Sequence, residues 1–277
     1  MALVTAKSLI VPLQAEFFAL EGLSQLIKTI DRIKEKLNPE LDIRGVLLTM
    51  FDKRNKLSSQ VDNEARKFFK NKRCYMYYDP SEGHGLPHNP FNAIVSPRPI
   101  GWVSTRSHDG IDNLAPYSFF NAVAYTPPQV MFSANSSKVD QDGTKDTVAN
   151  IRETGVFCVN IVSEQQISVM NKSSQALSKE IDEFEFSGIK KQECTAINCP
   201  LVGGGPAALE CKLTEIIKLS GEANFAVFGE VIGIHMRDDC IIDGRFEIKM
   251  YNPVSRLGYR DYAIIKDYFE LKRPDDN

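Results

Sequence analysis

The sequence lacks the features of a membrane, secreted or nucleic-acid-binding protein. No stretch approaches the roughly 18 consecutive apolar residues of a membrane-spanning helix, and the first residues show no cleavage-site pattern of a secretory signal. The formal net charge is -3 over 277 residues, which leaves no basic excess to attract a polyanion. We therefore expect neither a membrane nor a nucleic acid as a partner.

Cysteine and histidine are scarce and scattered, with 6 and 4 residues respectively. Only Cys194 and Cys199 lie close together, and no second pair accompanies them as in a structural zinc site. His84 and His88 stand in a Gly/Pro-rich loop without a nearby carboxylate, so solvent-exposed histidines are favoured over a metal site. Free thiols in a reducing, cytoplasmic environment are the expectation.

The motifs of nucleophilic and zinc-dependent catalysis are also missing. The sequence contains no G-x-S-x-G, no H-E-x-x-H and no C-x-x-C, and no G-x-G-x-x-G follows a predicted strand. No catalytic residue is predicted from the sequence.

The first 72 residues alternate between strand and helix patterns. Residues 8–14 and 43–51 are short apolar runs that predict strands. Between them, apolar residues recur every three or four positions from Leu20 to Leu37, and a second helix is predicted from Ser58 to about Lys72. The order predicts one parallel βαβα unit.

This N-terminal stretch resembles the C-terminal half of the ParA-type chromosome-partitioning ATPases. The resemblance rests on VPLQAEFFALEGLSQL (Val11–Leu26) and LNPELDIRGVLLTMFDKRNKLSSQV (Leu37–Val61). No G-x-x-x-x-G-K-[ST] phosphate loop occurs in the chain, so ATP hydrolysis is not expected. An inherited fragment without ATPase function is favoured, and docking of a partner is the alternative.

A domain boundary is predicted near residue 72. Residues 1–72 carry 13 basic and 9 acidic side chains (+4), whereas the remainder carries 20 and 27 (-7). The Gly/Pro/His-rich segment 79–90 follows, which is typical of a linker or turn. The expected domains are therefore residues 1–72 and 73–277.

From Phe91 onward the sequence is rich in short strand patterns. We predict strands at Phe91–Ser96, Ile100–Thr105, Asn113–Phe119, Gln129–Ala134, Val156–Ile161, Leu209–Ile217 and Ala226–Ile234. Helical patterns occur only at Asp146–Glu153 and around 165–177. Short strands with inserted helices predict a Greek-key barrel, hence a β-rich α+β fold.

Within this part, a predicted hairpin carries the most distinctive chemistry. The Asp109–Gly110 turn separates two aromatic-rich runs with small hydroxyl residues, which suit a ring beside hydrogen-bond donors. Further along, Lys145 stands at the start of a predicted helix, where a phosphate could bind. A plain barrel hairpin and a routine helix cap by Thr144 or Asp146 are the alternatives.

The segment from Met76 to about Ile265 resembles the flavin reductase-like family, the FMN-binding split barrels. The stretches that carry the resemblance are YDPSEGHGLPHNPF (78–91), SPRPIGWVSTRSHDGIDNLAPYSFFNAV (96–123), PPQVMFS (127–133), KDTVANIRETGVFCVNI (145–161), DEFEFSGI (182–189) and RLGYRDYA (256–263). The resemblance implies a split β-barrel and a homodimer with FMN at the subunit interface.

The resemblance also implies which residues hold the flavin. The isoalloxazine edge would lie along Trp102, Val103, Ser104 and Thr105, and the ring or ribityl side along Ser118, Phe119 and Asn121. The phosphate end would meet Lys145, Asp146 and Thr147. The loop 135–143 is longer than is usual for the family, so Ser136 and Ser137 are expected to replace or supplement these contacts.

The implied activity is that of a flavin oxidoreductase. Hydride would pass from NADH or NADPH to the flavin, and electrons then to oxygen, free flavin, a metal or a partner oxygenase. A non-enzymatic FMN-binding electron carrier is the alternative.

Overall fold

The computed structural model describes residues 3, 6–14, 19–49, 52, 54–70, 76–136 and 143–274. The chain forms two compact units, Met1–Gly83 and His84–Asn277. Residues 71–75 lie outside the described residues, and the boundary near residue 72 stays a prediction. No helix within the described ranges combines the length and the apolarity needed to cross a bilayer.

The first unit is the predicted βαβα arrangement. It consists of β1 (Ser8–Gln14), α1 (Ala19–Lys36), β2 (Asp42–Thr49) and α2 (Lys56–Lys70). The two strands pair in parallel. Residues of both strands and both helices form its apolar core, among them Val11, Leu23, Ile27 and Val61. The prediction of a short N-terminal βαβα fragment is confirmed.

The second unit is built on a seven-stranded sheet of order β5-β4-β8-β11-β12-β7-β6, in which neighbouring strands are antiparallel. Its elements are α3 (Phe91–Ile94), β3 (Arg98–Pro99), β4 (Gly101–Arg106), β5 (Asp112–Tyr117), β6 (Phe120–Tyr125), β7 (Pro128–Asn135), α4 (Asp146–Thr154), β8 (Val156–Ile161), α5 (Ile167–Lys172), α6 (Glu183–Ser187), β9 (Lys191–Glu193), β10 (Pro200–Val202), β11 (Ala207–Lys218), β12 (Asn224–Met236), β13 (Ile241–Ile242), β14 (Arg245–Phe246), β15 (Val254–Arg256) and β16 (Tyr262–Ile264), with short 3₁₀ turns at Glu164–Gln166, Asp238–Cys240 and Ile248–Met250.

One predicted strand is wrong. Phe91–Ser96 begins instead with the single helical turn α3. The amide of Phe91 donates to the Asn89 side chain, and the Pro90 carbonyl accepts from the amides of Ala93 and Ile94. These local hydrogen bonds outweigh the strand preference of the apolar side chains. Strand β6 was not predicted, because it follows β5 after only two residues.

The predicted hairpin is confirmed as β4 and β5. Its turn is closed by a hydrogen bond of 2.8 Å from the Ser107 amide to the Ile111 carbonyl. Gly110 adopts φ +83°, whereas Asp109 does not have a positive φ. A residue without a Cβ is therefore required at Gly110 alone.

Strand β4 is buried on both faces of the sheet. Successive side chains of a strand point to opposite faces, and Val103 accordingly joins one apolar cluster with Phe132, whereas Trp102 joins another with Leu114. Both Trp102 and Val103 are fully buried. The strand expected to lie along a flavin is thus also the central support of two cores.

Candidate functional site

The Trp102 ring and the Ser104 hydroxyl, both on β4, are fixed by hydrogen bonds in the interior. The Trp102 indole donates to Ser173 Oγ at 2.9 Å. Ser104 Oγ donates to the Pro200 carbonyl at 2.6 Å and accepts from Asn160 Nδ2 at 3.1 Å. Both residues are fully buried within the chain. Their observed role is to hold β4, and a contact with a flavin stays a prediction.

Thr105 lies in a buried polar cluster that connects the hairpin to helix α4. Its Oγ1 accepts from Asn113 Nδ2 at 3.3 Å and from Asn150 Nδ2 at 3.0 Å. Asn113 Nδ2 also donates to Thr147 Oγ1 at 2.9 Å. The structure therefore brings together two of the regions expected to converge on one ligand. Sequence reasoning missed Asn113 and Asn150, because an amide gives no signal until its partners are known.

Helix α4 begins beside this cluster, and a lysine stands at its N-terminus. Lys145 occupies the N-cap position with no capping hydrogen bond from its side chain, and neither Thr144 nor Asp146 holds that position. Lys145 Nζ lies 5.6 Å from the centre of the Tyr117 ring. The N-terminus of a helix carries a partial positive charge, to which Lys145 adds a full one.

Tyr117 places a phenol next to the same helix end. Tyr117 is 4% exposed, and its hydroxyl has no hydrogen-bond partner among the described residues. Burial raises the pKa of Tyr117, against the neighbouring Thr147 hydroxyl, so the phenol stays protonated. An unpartnered buried hydroxyl can satisfy a ligand atom. In the sequence, Tyr117 is one of the aromatic residues of the predicted hairpin, and no local pattern indicates what surrounds its hydroxyl.

The corner between β5 and β6 gives the site an accessible edge. Ser118 and Phe119 are half-buried and Asn121 is exposed. The Arg98 guanidinium lies 5.6 Å from the centre of the Phe119 ring. Its Nε has no hydrogen-bond partner among the described residues. Burial, followed by the charge of Arg256, lowers the pKa of Arg98.

The C-terminal RLGYRDYA segment lies against the same corner. Arg256 is paired with Arg98 across β15 and β3, and Arg98 Nη2 donates to the Leu257 carbonyl at 2.8 Å. The Arg256 guanidinium stacks 4.4 Å from the centre of the Tyr262 ring. This segment therefore holds Arg98 by backbone contacts, whereas the like charge of Arg256 opposes the Arg98 cation.

The long polar loop is only partly described. Ser136 is exposed with φ +76°, a strained conformation for a residue with a Cβ. Ser137 lies outside the described residues. The expectation that either residue contacts a phosphate stays a prediction.

Comparison with known proteins identifies the larger unit. Residues 95–247, more than half of the chain, match the family model of the flavin reductase like domain. The chain belongs to the flavin reductase-like family. An uncharacterized protein of Aquifex aeolicus is 36% identical over 181 residues, which cover 65% of this chain and 89% of that protein.

Solved structures agree with this assignment. Nitrilotriacetate monooxygenase component B from Bacillus cereus is 28% identical with a TM-score of 0.65, over 72% of this chain and all of that one. The 2-nitrobenzoate 2-nitroreductase of Pseudomonas fluorescens is 31% identical with a TM-score of 0.59, over 67% and 89%. A flavin reductase-like protein with a split barrel domain from Shewanella frigidimarina has the same fold. The predicted split barrel is confirmed.

The N-terminal unit has a separate relationship. Residues 1–43 match an AAA domain. The chromosome partitioning protein ParA of Caulobacter vibrioides is 55% identical over 71 residues, which are 26% of this chain and 27% of ParA. The predicted resemblance to a part of ParA is confirmed.

Proposed function

We propose that the protein binds FMN and accepts hydride from NADH or NADPH as a flavin oxidoreductase. The observation that carries the proposal is the meeting of Lys145, the N-terminus of α4 and the unpartnered Tyr117 hydroxyl at one place in a flavin reductase-like fold. Lys145 and the helix N-terminus suit a phosphate monoester better than a neutral group, because the lysine adds a full positive charge to the partial charge of the helix end.

The phosphate end of FMN would be held by Lys145 and by the first turn of α4 with Asp146 and Thr147. The Asn113 bond to Thr147 Oγ1 fixes the orientation of that hydroxyl. The Tyr117 hydroxyl is a further donor within the same cluster. The Thr147 hydroxyl is thus positioned before a ligand arrives, which lowers the entropic cost of binding.

The ring end would lie on the accessible corner with Ser118, Phe119 and Asn121. Phe119 offers an aromatic surface, and Arg98 behind it supplies a fixed positive charge. A cation near the ring favours the electron-rich, reduced form of a flavin. FMN itself supplies the hydride chemistry when bound, and the chain binds, orients and tunes it. This division agrees with the lack of a catalytic motif in the sequence.

The proposed assembly is a homodimer. Strand β6 ends the seven-stranded sheet and has one partner strand, β7, in the described part of the chain. Val123 and Tyr125 on β6 are 47% and 94% exposed. An edge strand with exposed apolar side chains is a template for pairing with another chain, and a second copy in that place would also close the flavin corner.

A partner oxygenase is the proposed electron acceptor. The similarity to a monooxygenase component supports this acceptor over free flavin, oxygen or a metal. A cytoplasmic location is proposed on the thiols, since the five described cysteines are free and free thiols persist in reducing compartments.

The test is the visible absorption spectrum of the purified protein before and after anaerobic addition of NADH, and then of NADPH. Rapid bleaching of a flavin spectrum is expected and would name the donor. A flavin spectrum that persists with both donors would support the electron-carrier alternative. A colourless protein that cannot be loaded with FMN would contradict flavin binding.

A further inference from the structure

Three thiols pack together outside the site described above. Cys158 in β8 and Cys199 before β10 are fully buried, and the half-buried Cys194 packs against them. Cys194 therefore has two other sulfurs as its neighbours. The cluster has no part in the proposed flavin chemistry.

A short hairpin places two of these thiols opposite each other. Strands β9 and β10 are antiparallel, with Glu193 opposite Pro200, so Cys194 and Cys199 form the next pair toward the loop. The Cys194 amide donates to the Cys199 carbonyl at 3.0 Å. Opposed residues of antiparallel strands have Cβ atoms about 4.5–5.5 Å apart, and a disulfide requires about 3.5–4.5 Å. A small closing movement therefore suffices to join the two sulfurs.

The loop of this hairpin is held in place by Glu210. The amides of Thr195, Ala196 and Ile197 donate to its carboxylate at 2.7, 2.7 and 3.1 Å. Glu210 is fully buried and also contacts His235. This fixed loop keeps the two cysteines facing each other.

We propose that Cys194 is a site of reversible oxidation, at which hydrogen peroxide produces a disulfide with Cys199. The Cys194 thiolate attacks one peroxide oxygen and the O–O bond breaks. Hydroxide departs, and a sulfenic acid remains on Cys194. The Cys199 sulfur then attacks that of Cys194, the S–O bond breaks, and the hydroxyl leaves with the Cys199 proton as water. The two thiols lose two electrons in total, and the peroxide is reduced to water.

The surroundings select Cys194 as the reacting thiol. It faces Cys158 from β8, Cys199 across the hairpin, Glu210 from β11 and His235 from β12. The neighbouring thiols of Cys158 and Cys199 lower the pKa of Cys194 to about 5, against burial and the Glu210 charge, with help from His235. The neighbouring Cys194 sulfur, together with burial, raises the pKa of Cys158, and burial raises that of Cys199. The thiolate, which is the reactive form, thus sits on the only member of the trio that reaches solvent.

Oxidation of the thiol pair would change the hydrogen bonding of β4. Cys199 Sγ donates to the Ser104 carbonyl at 3.2 Å, and Ser104 Oγ donates to the carbonyl of Pro200. The disulfide removes the first of these hydrogen bonds, because Cys199 loses its hydrogen. The thiol pair is therefore in direct contact with the strand that supports the proposed flavin site, although the proposal does not depend on flavin.

The test is mass spectrometry of the reduced full-length protein after treatment with hydrogen peroxide. The tryptic peptide Gln192–Lys212 contains Cys194, Cys199 and Cys211. The expected bond makes it lighter by two hydrogens without joining it to another peptide, and fragmentation between Cys199 and Cys211 should place the loss on the Cys194–Cys199 part. A loss that involves Cys211 overturns the pairing. Dithiothreitol should restore its mass. In Cys199→Ala, dimedone should trap a sulfenic acid on Cys194, whereas the buried, separate Cys240→Ala should leave the bond unchanged.

Alkylation of Cys194 in the wild-type chain gives a second readout. Its rate with iodoacetamide should change less than about twofold from pH 8 to pH 6, whereas an ordinary thiol slows about 80-fold. A cross-link between Cys194 and Cys158, which would join two peptides, overturns the pairing. No bond under peroxide, or an 80-fold fall in the alkylation rate, overturns the site. Both measurements use the wild-type chain and so do not depend on the folding of a variant.

Discussion

Asn113 Nδ2 lies 2.9 Å from Thr147 Oγ1, in a bond that joins the β4–β5 hairpin to the first turn of α4. The two residues are 34 positions apart and both are buried. The same amide nitrogen lies 3.3 Å from Thr105 Oγ1. Together with the bond from Asn150 to Thr105, Asn113 thereby fixes the relative position of the two segments that would hold the flavin and its phosphate.

Replacement of Asn113 should test this connection. Asn113→Ala leaves the buried Thr147 and Thr105 hydroxyls without their shared partner, which we expect to lower the free energy of unfolding by about 1–3 kcal/mol. FMN affinity should fall as well, because α4 loses its fixed position. Urea unfolding and flavin titration measure the two effects. Asn171→Ala, at an exposed position, is the matched control. Unchanged affinity would mean that the link serves stability alone.

Lys145 should contribute mainly through its charge. Lys145→Ala is expected to weaken FMN binding about 10- to 100-fold, as for the loss of one charge-assisted hydrogen bond. Lys145→Arg should retain most of the affinity, and the exposed Lys179→Ala should retain all of it. Combining Lys145→Ala with Thr147→Ala should weaken binding further. If titration of the double variant gives the wild-type affinity, the phosphate lies elsewhere.

Glu210 should make stability depend on pH. Burial acts to raise its pKa, but bonds from His235 and the amides of Thr195 and Ala196 outweigh burial and hold the pKa below the ordinary 4.5. Because the folded pKa is depressed, this stabilisation is complete above pH 4.5 and is lost as the pH falls through the folded value.

Glu210→Gln should therefore lower the free energy of unfolding by about 2–3 kcal/mol at pH 7. The difference from wild type should narrow progressively below pH 4.5. Urea unfolding across this range is the measurement, with the exposed Glu222→Gln as the control. A difference that stays constant with pH would show that the carboxylate charge is not the cause.

Strand β6 should form the contact between two copies. Val123→Lys places a charge on the exposed edge and should convert a dimer to a monomer, which light scattering after gel filtration would detect. Flavin retention should fall in parallel if FMN lies at the interface. Ile181→Lys, a similarly exposed position at 41%, is the control. A wild-type chain that is already monomeric would refute the proposed assembly.

Local patterns predicted most of the longer helices and strands. The Asp109–Gly110 turn between alternating runs predicted the β4–β5 hairpin, because turn chemistry and strand periodicity act over a few residues. The sequence also predicted a lysine, Lys145, at the start of the helix that begins at Asp146. The strand predicted at Phe91–Ser96 was wrong, because hydrogen bonds to the Asn89 side chain and the Pro90 carbonyl compete locally with the strand preference of the apolar residues.

By itself, the sequence determined the βαβα order, the strand-rich second unit and the family resemblance, all of which depend on neighbouring residues or on motifs. Only the tertiary structure decided which side chains are available. Ser104 is tied to Pro200, 96 positions away, and Cys194 meets Cys158 only through the packing of β8. The unpartnered Tyr117 hydroxyl is likewise defined by what surrounds it. Burial and hydrogen-bond satisfaction depend on residues distant in the chain, and no local pattern contains that information.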